Sequence, residues 1–416
     1  MKISFRPCCC ARIIALFVAW TWYGQSFSLW AEEEPTPLTL STVVQHVLAE
    51  HPLSQAAQAR IQIALGLTRQ AGTYPNPEFT FTNNDFTYER TAGLKQVLEW
   101  PFKRAYRIDA ATADVRVAES EQETIRQNLI ATAREAFLRV LLYQESARVA
   151  DTFATTTAQL QQSTAQRFQE GDVPAFEVTK ANVEALKATK DLEVARGQLT
   201  TAQAGLNLLL GQSEMTPLSL AGSLVITRRV APREELYASA EEHNPLLITQ
   251  RKVVEREQLN LKVARAARIP DVAIDLTRGE DLKAGIVGPV VGVSFALPLW
   301  NRNEGAISAA ESKVTEAEAT LRATRLQIHQ TLLTAYRTWE TARKQVDAFT
   351  TGLLVQAEEA ATLAERSYRE GEGDLLGVLD AQRSLLSARR DYTQALFEQD
   401  IAWVAIERAA GIGTEP

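Results

Sequence analysis

Proline is absent from two stretches, 104–169 and 302–369, each of roughly 66 residues or slightly more. At about 1.5 Å of rise per residue, each makes a rod of about 100 Å if helical. No compact domain has room for such a rod, so the chain must build an elongated helical body. In the second stretch Ile307, Val314, Leu321 and Ile328 recur every seven residues. Leu332, Trp339, Val346, Leu353 and Ala360 continue as a partner seam four residues on. A repeat of seven predicts packing as a coiled coil. Asn301 with Glu304 three residues later reads as a capping box at the start of the second rod. Gly171 and Gly371 read as stops where the chain reverses.

The two rods belong to two copies of one unit. Phe168-Gln169-Glu170-Gly171 matches Tyr368-Arg369-Glu370-Gly371 at an offset of 200, and the register persists through Val178 and Val378, Ala181 and Ala381, to Gly211 and Gly411. Upstream, His51-Pro52-Leu53 aligns with Asn244-Pro245-Leu246, and Trp100-Pro101-Phe102 with Leu297-Pro298-Leu299. Helix breakers recurring in the same order identify a tandem duplication. The first repeat covers 32–211, a linker with Pro217, Gly222 and Pro232 covers 212–233, the second repeat covers 234–411, and 412–416 is a tail. Each copy reads as a lead-in helix (38–70 and 234–267), two strands (77–100 and 270–298), the long helix, a turn, and a return helix (174–210 and 375–410). Lead-in and return helices together match one rod in length, so they can stack end to end beside it. Both strand pairs then lie at one end of the bundle and both glycine turns at the other.

Composition removes several classes of function. The three cysteines are Cys8, Cys9 and Cys10, so thiol chemistry is excluded from the rest of the chain. His46, His51, His243 and His329 lie far apart, without ligand spacing. His46, His51 and His243 are expected at helix starts as surface or capping residues. No catalytic set, metal site or cofactor is expected. A formal charge of −7 without a long basic run disfavours nucleic acid. The run Gly371, Gly373, Gly377 has the wrong spacing for a phosphate loop and follows a helix. At the amino terminus Lys2, Arg6 and Arg12 precede the apolar run 13–22, and Ser26, Ser28 and Ala31 precede three glutamates. This is the layout of a secretory signal at 1–31, too short in its apolar part to span a bilayer.

The strands have one apolar face. Phe79 and Phe81 alternate with Thr80 and Thr82, and Val291, Val293, Phe295 and Leu297 alternate with Gly292, Ser294 and Ala296. Aromatic Phe86, Tyr88, Trp100 and Phe102 lie near segment ends, where the interfacial girdles of a membrane barrel sit. The mature sequence offers no run of 18 apolar residues, so any membrane crossing must be made by strands. Four strands leave open edges in lipid, and closed barrels begin at about eight. Several chains must therefore share one barrel, and three chains, giving twelve strands, leave room for an aqueous path.

At this point the repeated motif, followed by Val178 in one copy and by Val378-Leu379-Asp380-Ala381-Gln382 in the other, resembles the TolC-type outer-membrane efflux family across essentially the whole mature chain. The segment Leu297-Pro298-Leu299-Trp300-Asn301-Arg302-Asn303-Glu304-Gly305-Ala306-Ile307 is similar to that of the CzcC-like, heavy-metal efflux subgroup. The resemblance implies a mainly α fold with a small β part. It implies a homotrimer whose helical tunnel in the periplasm joins a shared twelve-stranded barrel in outer-membrane lipid. It also implies partners, a periplasmic adaptor (membrane fusion protein) and an inner-membrane pump of the RND type, and a passive channel that does no chemistry. Asp380 falls where the family carries an acidic ring at the periplasmic mouth, and Gly377 occupies a second ring position one turn earlier. Glu177 matches an acidic position used in a closing salt bridge; its basic partner would fall at Gly373, with Arg369 or Lys180 as substitutes. The turns Gly171-Asp172-Val173-Pro174 and Gly371-Glu372-Gly373-Asp374 match the tips that meet the adaptor. Heavy-metal cations stand first as cargo, with drug efflux or type I secretion as the alternative. A periplasmic coiled-coil adaptor fits less well, because it would have one hairpin and no duplicated strands.

Overall fold

The longest helix, α3 (Pro101–Glu170), runs unbroken for 70 residues in the computed structural model. That model describes residues 37–84, 89–224, 231–281 and 283–413. The expected signal 1–31, the girdle residues Phe86 and Tyr88, and 414–416 of the tail lie outside the described residues. Pro101 stands in the first turn of α3, where its missing N–H costs nothing. The helix stops at Gly171, whose φ of 86° suits a residue without a side chain, and Asp172 N donates back to Arg167 O at 2.9 Å. The return helix α4 follows (Ala175–Leu209). The second copy repeats this with α7 (Glu304–Ala348), a π turn at Phe349–Leu353, α8 (Leu354–Glu370), a stop at Gly371 with φ 79°, and α9 (Leu375–Ala410).

Three local expectations are corrected. Each lead-in is two helices: α1 (Leu40–Glu50) and α2 (Pro52–Ala71) part at His51, and α5 (Arg233–His243) and α6 (Pro245–Ala266) part at Asn244. The residue before a proline is driven to extended backbone, and His51 and Asn244 have ψ of 131° and 120°. His51 then caps α2, its ring nitrogen accepting from Leu53 N at 3.2 Å. His46 lies in the second turn of α1 and His243 ends α5, so neither is at a helix start. Second, Asn301 and Glu304 form no capping box: α7 is preceded by Asn303 at φ 60°, and Asn301 Oδ1 accepts instead from Asn303 N at 3.0 Å.

Third, the seam of seven does not run through the second rod. Leu332 and Trp339 are buried, but Leu353 is 54% exposed and Ala360 is also exposed. The π turn inserts one residue, so the inward series resumes at half-buried Leu354 and continues through buried Ala361 and Tyr368. Thr350 and Thr351 bond back to the carbonyls of Val346 and Asp347 there, loosening the helical ladder.

Two apolar clusters hold the middle of the bundle. In the first copy Val43, Val44 and Val47 of α1 pack with Phe137, Leu138 and Leu141 of α3, Leu206 of α4 and Val404 of α9. The linker returns to this cluster, where Leu38 N donates to Ser219 O and Ala221 N donates to Leu38 O. In the second copy Leu236, Leu247, Leu332, Trp339 and Ile406 form the counterpart from α5, α6, α7 and α9. Arg134 of α3 and Glu407 of α9 join the copies by an ion pair at 2.5 Å.

Strands β1 (Glu78–Asn84), β2 (Glu89–Leu98), β3 (Val272–Asp281) and β4 (Ile286–Phe295) make one antiparallel sheet in that order. The register places Phe79, Leu94, Leu276 and Val291 side by side, and they are 70, 52, 57 and 69% exposed. The next residue along each strand belongs to the other face, where Thr80, Gly93, Thr277 and Val290 form a row. A side chain on Gly93 would stand 2.5 Å from Leu276 O and 2.7 Å from Thr277 Cα, both backbone atoms of the partner strand. Glycine at this point permits β2 and β3 to stay paired.

Near the far end of the bundle the copies are tied again. Arg383 of α9 donates from Nε to Glu184 Oε1 of α4 at 2.9 Å and from Nη2 to Glu184 Oε2. Glu184 is buried, and this hydrogen bond, opposed by desolvation, holds its carboxyl below the usual range. A depressed carboxylate contributes stability above its unfolded pKa and loses it as the pH falls through the folded value. Glu184→Gln is therefore expected to lower stability at pH 7 by about 1–3 kcal/mol. Its apparent Tm at fixed protein concentration should also fall less steeply than wild type below about pH 4.5. Parallel thermal melts with pH would contradict the pairing. Gly93→Val is expected to abolish strand pairing, read as loss of the strand signal in circular dichroism of the purified protein. Gly66→Ala, where the added carbon meets nothing within 4 Å, should leave it unchanged.

Candidate functional site

The two glycine turns lie together. Arg167 of α3 donates to Tyr368 O at 3.1 Å and its guanidinium stacks 4.8 Å from the Tyr368 ring, while the Tyr368 hydroxyl meets Thr164 Oγ1 at 3.2 Å. Tyr368, Leu375, Val378, Leu379 and Ala181 form the apolar plug beneath them. The plug fixes the first turns of α4 and α9, which carry the residues expected at a channel mouth.

Asp380 is exposed on α9, next to this plug. Arg383, one turn on, is held protonated first by its hydrogen bond to Glu184 and to a smaller degree by the field of Asp380. The Arg383 guanidinium is hydrogen-bonded to Glu184, and Asp380 stands exposed beside it. Gly377 contributes its backbone N–H, which Asp374 Oδ1 accepts at 3.0 Å as the cap of α9. A side-chain carbon at 377 would sit 3.0 Å from that oxygen, so the cap favours glycine over a second carboxylate.

Glu177 lies in the first turn of α4, half-buried, and its Oε2 is buried without a hydrogen-bond partner among the described residues. The substitutes for a basic partner do not reach it within the chain. Arg369 faces Glu365 at 3.8 Å, and the Lys180 ammonium lies 5.8 Å from the Phe176 ring centre. Gly373 leaves no room for a basic residue either, since an added carbon would stand 2.9 Å from Ser367 Oγ and 3.2 Å from Tyr368 N.

Of the turn residues, Gly171, Asp172, Pro174, Gly371, Glu372 and Asp374 are exposed, Gly373 is half-buried, and Val173 is buried and anchors its turn. Sequence reasoning passed over Phe176 and Leu376, one per copy at the offset of 200, which are 71 and 50% exposed just after the turns. Their shared apolar character at matching repeat positions was the available signal. It also missed the Glu184–Arg383 and Gln382–Glu365 pairs, which close the space between the turns and the bundle.

The arrangement offers a sheet with one apolar face at one end, and at the other two exposed turns beside the exposed carboxylate of Asp380. Among the described residues no helix is long and apolar enough to cross a membrane. The chain is 29% identical over 91% of its length to the cobalt-zinc-cadmium resistance protein CzcC of Cupriavidus metallidurans, covering 91% of that protein. It is 24% identical over 83% of its length to the pyoverdine export outer membrane protein OpmQ of Pseudomonas aeruginosa, covering 74% of it. Its fold matches that of the outer membrane protein VceC from Vibrio cholerae with a TM-score of 0.75 at 20% identity, over 90% of this chain and 97% of that one. The outer membrane efflux protein family matches at residues 43–212 and again at 236–412, one match for each copy. With both copies matched, the chain belongs to that family of outer membrane efflux proteins.

Proposed function

We propose that three copies assemble into a passive channel of a tripartite efflux system, in which twelve strands share one barrel and the helices form a periplasmic tunnel. The observation that carries this reading is the open sheet. Strands β1 and β4 each have one neighbour, so both edges expose backbone groups that lipid cannot satisfy. Pairing β4 of one chain with β1 of the next closes the ring, and twelve strands rather than eight leave an aqueous lumen. The side facing that lumen carries Glu78, Lys95 and Asp275 in one row and Thr82 and Thr91 in another, a surface suited to water. In this reading the chain performs no chemistry.

In the trimer, three copies of Asp380 line the periplasmic mouth. Like charges around a narrow opening attract cations and resist tight closure. The turns with Gly171, Asp172, Val173 and Pro174 and with Gly371, Glu372, Gly373 and Asp374, flanked by exposed Phe176 and Leu376, meet the helical hairpins of a periplasmic adaptor. An inner-membrane pump, of the RND type in this reading, supplies the energy. Glu177, with one buried and unbonded oxygen, is placed to take a donor from an adjoining chain.

Heavy-metal cations are the proposed cargo, supported by the similarity to CzcC over nine-tenths of both chains. The similarity to OpmQ favours a second reading, export of organic molecules. Deletion of the gene is expected to sensitise cells to cobalt, zinc, cadmium or nickel. Unchanged tolerance to all four, with new sensitivity to dyes or detergents, would give the second reading instead. Asp380→Ala is expected to reduce cation over anion selectivity in planar bilayers and to weaken block by multivalent cations; conductance and block identical to wild type would remove Asp380 from the mouth.

A further inference from the structure

The boundary between β2 and β3 joins the first copy to the second. By the duplication it is the counterpart of the boundary at which β4 of one chain meets β1 of the next. Ile274 of β3 pairs with Gln96 of β2 on one side and with Val293 of β4 on the other. An offset of 195 aligns Tyr74-Pro75 with Ile269-Pro270, and the end of α2 at Ala71 with the end of α6 at Ala266. By that offset Phe79 of β1 corresponds to Ile274. Phe79 pairs with Leu94, so Leu94 corresponds to Val293, and Gln96, two residues on, corresponds to Phe295. The residue that stands across the open edge from Phe79 is therefore Phe295.

Within one chain Phe79 is level with Val291, through Leu94 and Leu276. Meeting Phe295 of the neighbour instead advances the register by four residues per chain, or twelve around three chains. Closure of a barrel demands such a stagger independently of the duplication. Twelve strands spaced about 4.8 Å measure about 58 Å across, and twelve residues at about 3.3 Å climb about 40 Å, so the strands lean about 35° from the axis. Strands of membrane barrels lean about 35–45°. A level seam, with Phe79 beside Val291, leaves the strands upright. Counting from the strand exits, where Trp100-Pro101 aligns with Leu297-Pro298, gives two residues per chain and a lean of about 20°. Those exits are not equivalent, because α3 begins at Pro101 whereas α7 begins only at Glu304.

We infer that neighbouring chains join with a stagger of four residues, so that Phe79–Asn84 of one chain pairs antiparallel with Val290–Phe295 of the next. This rests on the barrel reading above and gives its seam a register. The even stagger keeps the two faces matched, since a shift of one residue turns every side chain to the wrong side. On the apolar face Phe79 stands beside Phe295 and Phe81 beside Val293, all four exposed in the single chain. Cross-strand aromatic pairs of this kind stabilise a sheet. On the other face Thr80 meets Ser294 and Thr82 meets Gly292. The lean also makes the ring about 1.2-fold wider than an upright one of twelve strands, which enlarges the path through it.

Paired cysteines read the seam directly. Thr80 and Ser294 of one chain lie three strands apart, so a disulfide between these positions links two chains. The native cysteines at 8–10 fall within the expected signal. Thr80→Cys with Ser294→Cys, oxidised in outer membranes and run on a non-reducing gel, is expected to give linked dimers and trimers. Their yield should be about fivefold or more that of Thr80→Cys with Val290→Cys, which reports a level seam, or with Gly292→Cys, which reports a stagger of two. Phe79→Cys with Phe295→Cys tests the same register from the other face if the first pair fails to fold. Linkage at Val290 or Gly292 in preference to Ser294, or no linkage at any pair in protein that is trimeric and conducts, would overturn the stagger and leave the barrel standing. Protein that forms no trimer contradicts the barrel and the seam with it.

Discussion

Hydrocarbon offers no partner to a backbone N–H or C=O, and this constraint governs how the chain can be used. One polypeptide contributes four strands whose two outer members each lack a neighbour. The apolar row of Phe79, Leu94, Leu276 and Val291 favours lipid, yet the edges of the same sheet forbid an isolated chain there. The proposed barrel, shared between chains, reconciles burial of one with satisfaction of the other. The helices follow from the same logic. Below the membrane there is water on both sides of the wall, so the backbone satisfies itself within each helix and the copies are joined by side chains, as in the Arg134–Glu407 and Glu184–Arg383 pairs.

Much of this organisation is written in helix punctuation. Gly171 and Gly371 both take left-handed backbone, which the recurrence of glycine at an offset of 200 had signalled. The strand pairs were legible because alternation over seven to ten residues has no helical counterpart. The breaks at His51 and Asn244 were also available, since each precedes a proline, but a proline in the first turn is compatible with helix and the run was read through. The π turn was harder to see. No proline marks it, and Thr350, Thr351 and Gly352 are common enough in exposed helix that a one-residue shift of the seam shows only when Leu353 and Ala360 emerge exposed.

The candidate mouth was legible in part. Asp380 was reached through resemblance and stands exposed beside the plug of Leu375, Val378 and Leu379. The partner of Glu177 was not legible, and the crowding at Gly373 gives the reason. An acid–base lock needs space that Ser367 and the Tyr368 backbone occupy here. Pairs such as Glu184 with Arg383 depend on how two return helices in different copies align in space, which no local pattern encodes. Their effect is to engage the nearby Arg383 guanidinium with Glu184, while Asp380 stands exposed beside it.

The central claim is one of stoichiometry: a single chain supplies a third of a wall. Native mass spectrometry of the protein extracted from outer membranes in mild detergent measures it directly. The account predicts a particle of three copies that conducts when fused with a planar bilayer. A stable one-copy or two-copy particle, or a three-copy particle that leaves the bilayer electrically silent, would contradict it.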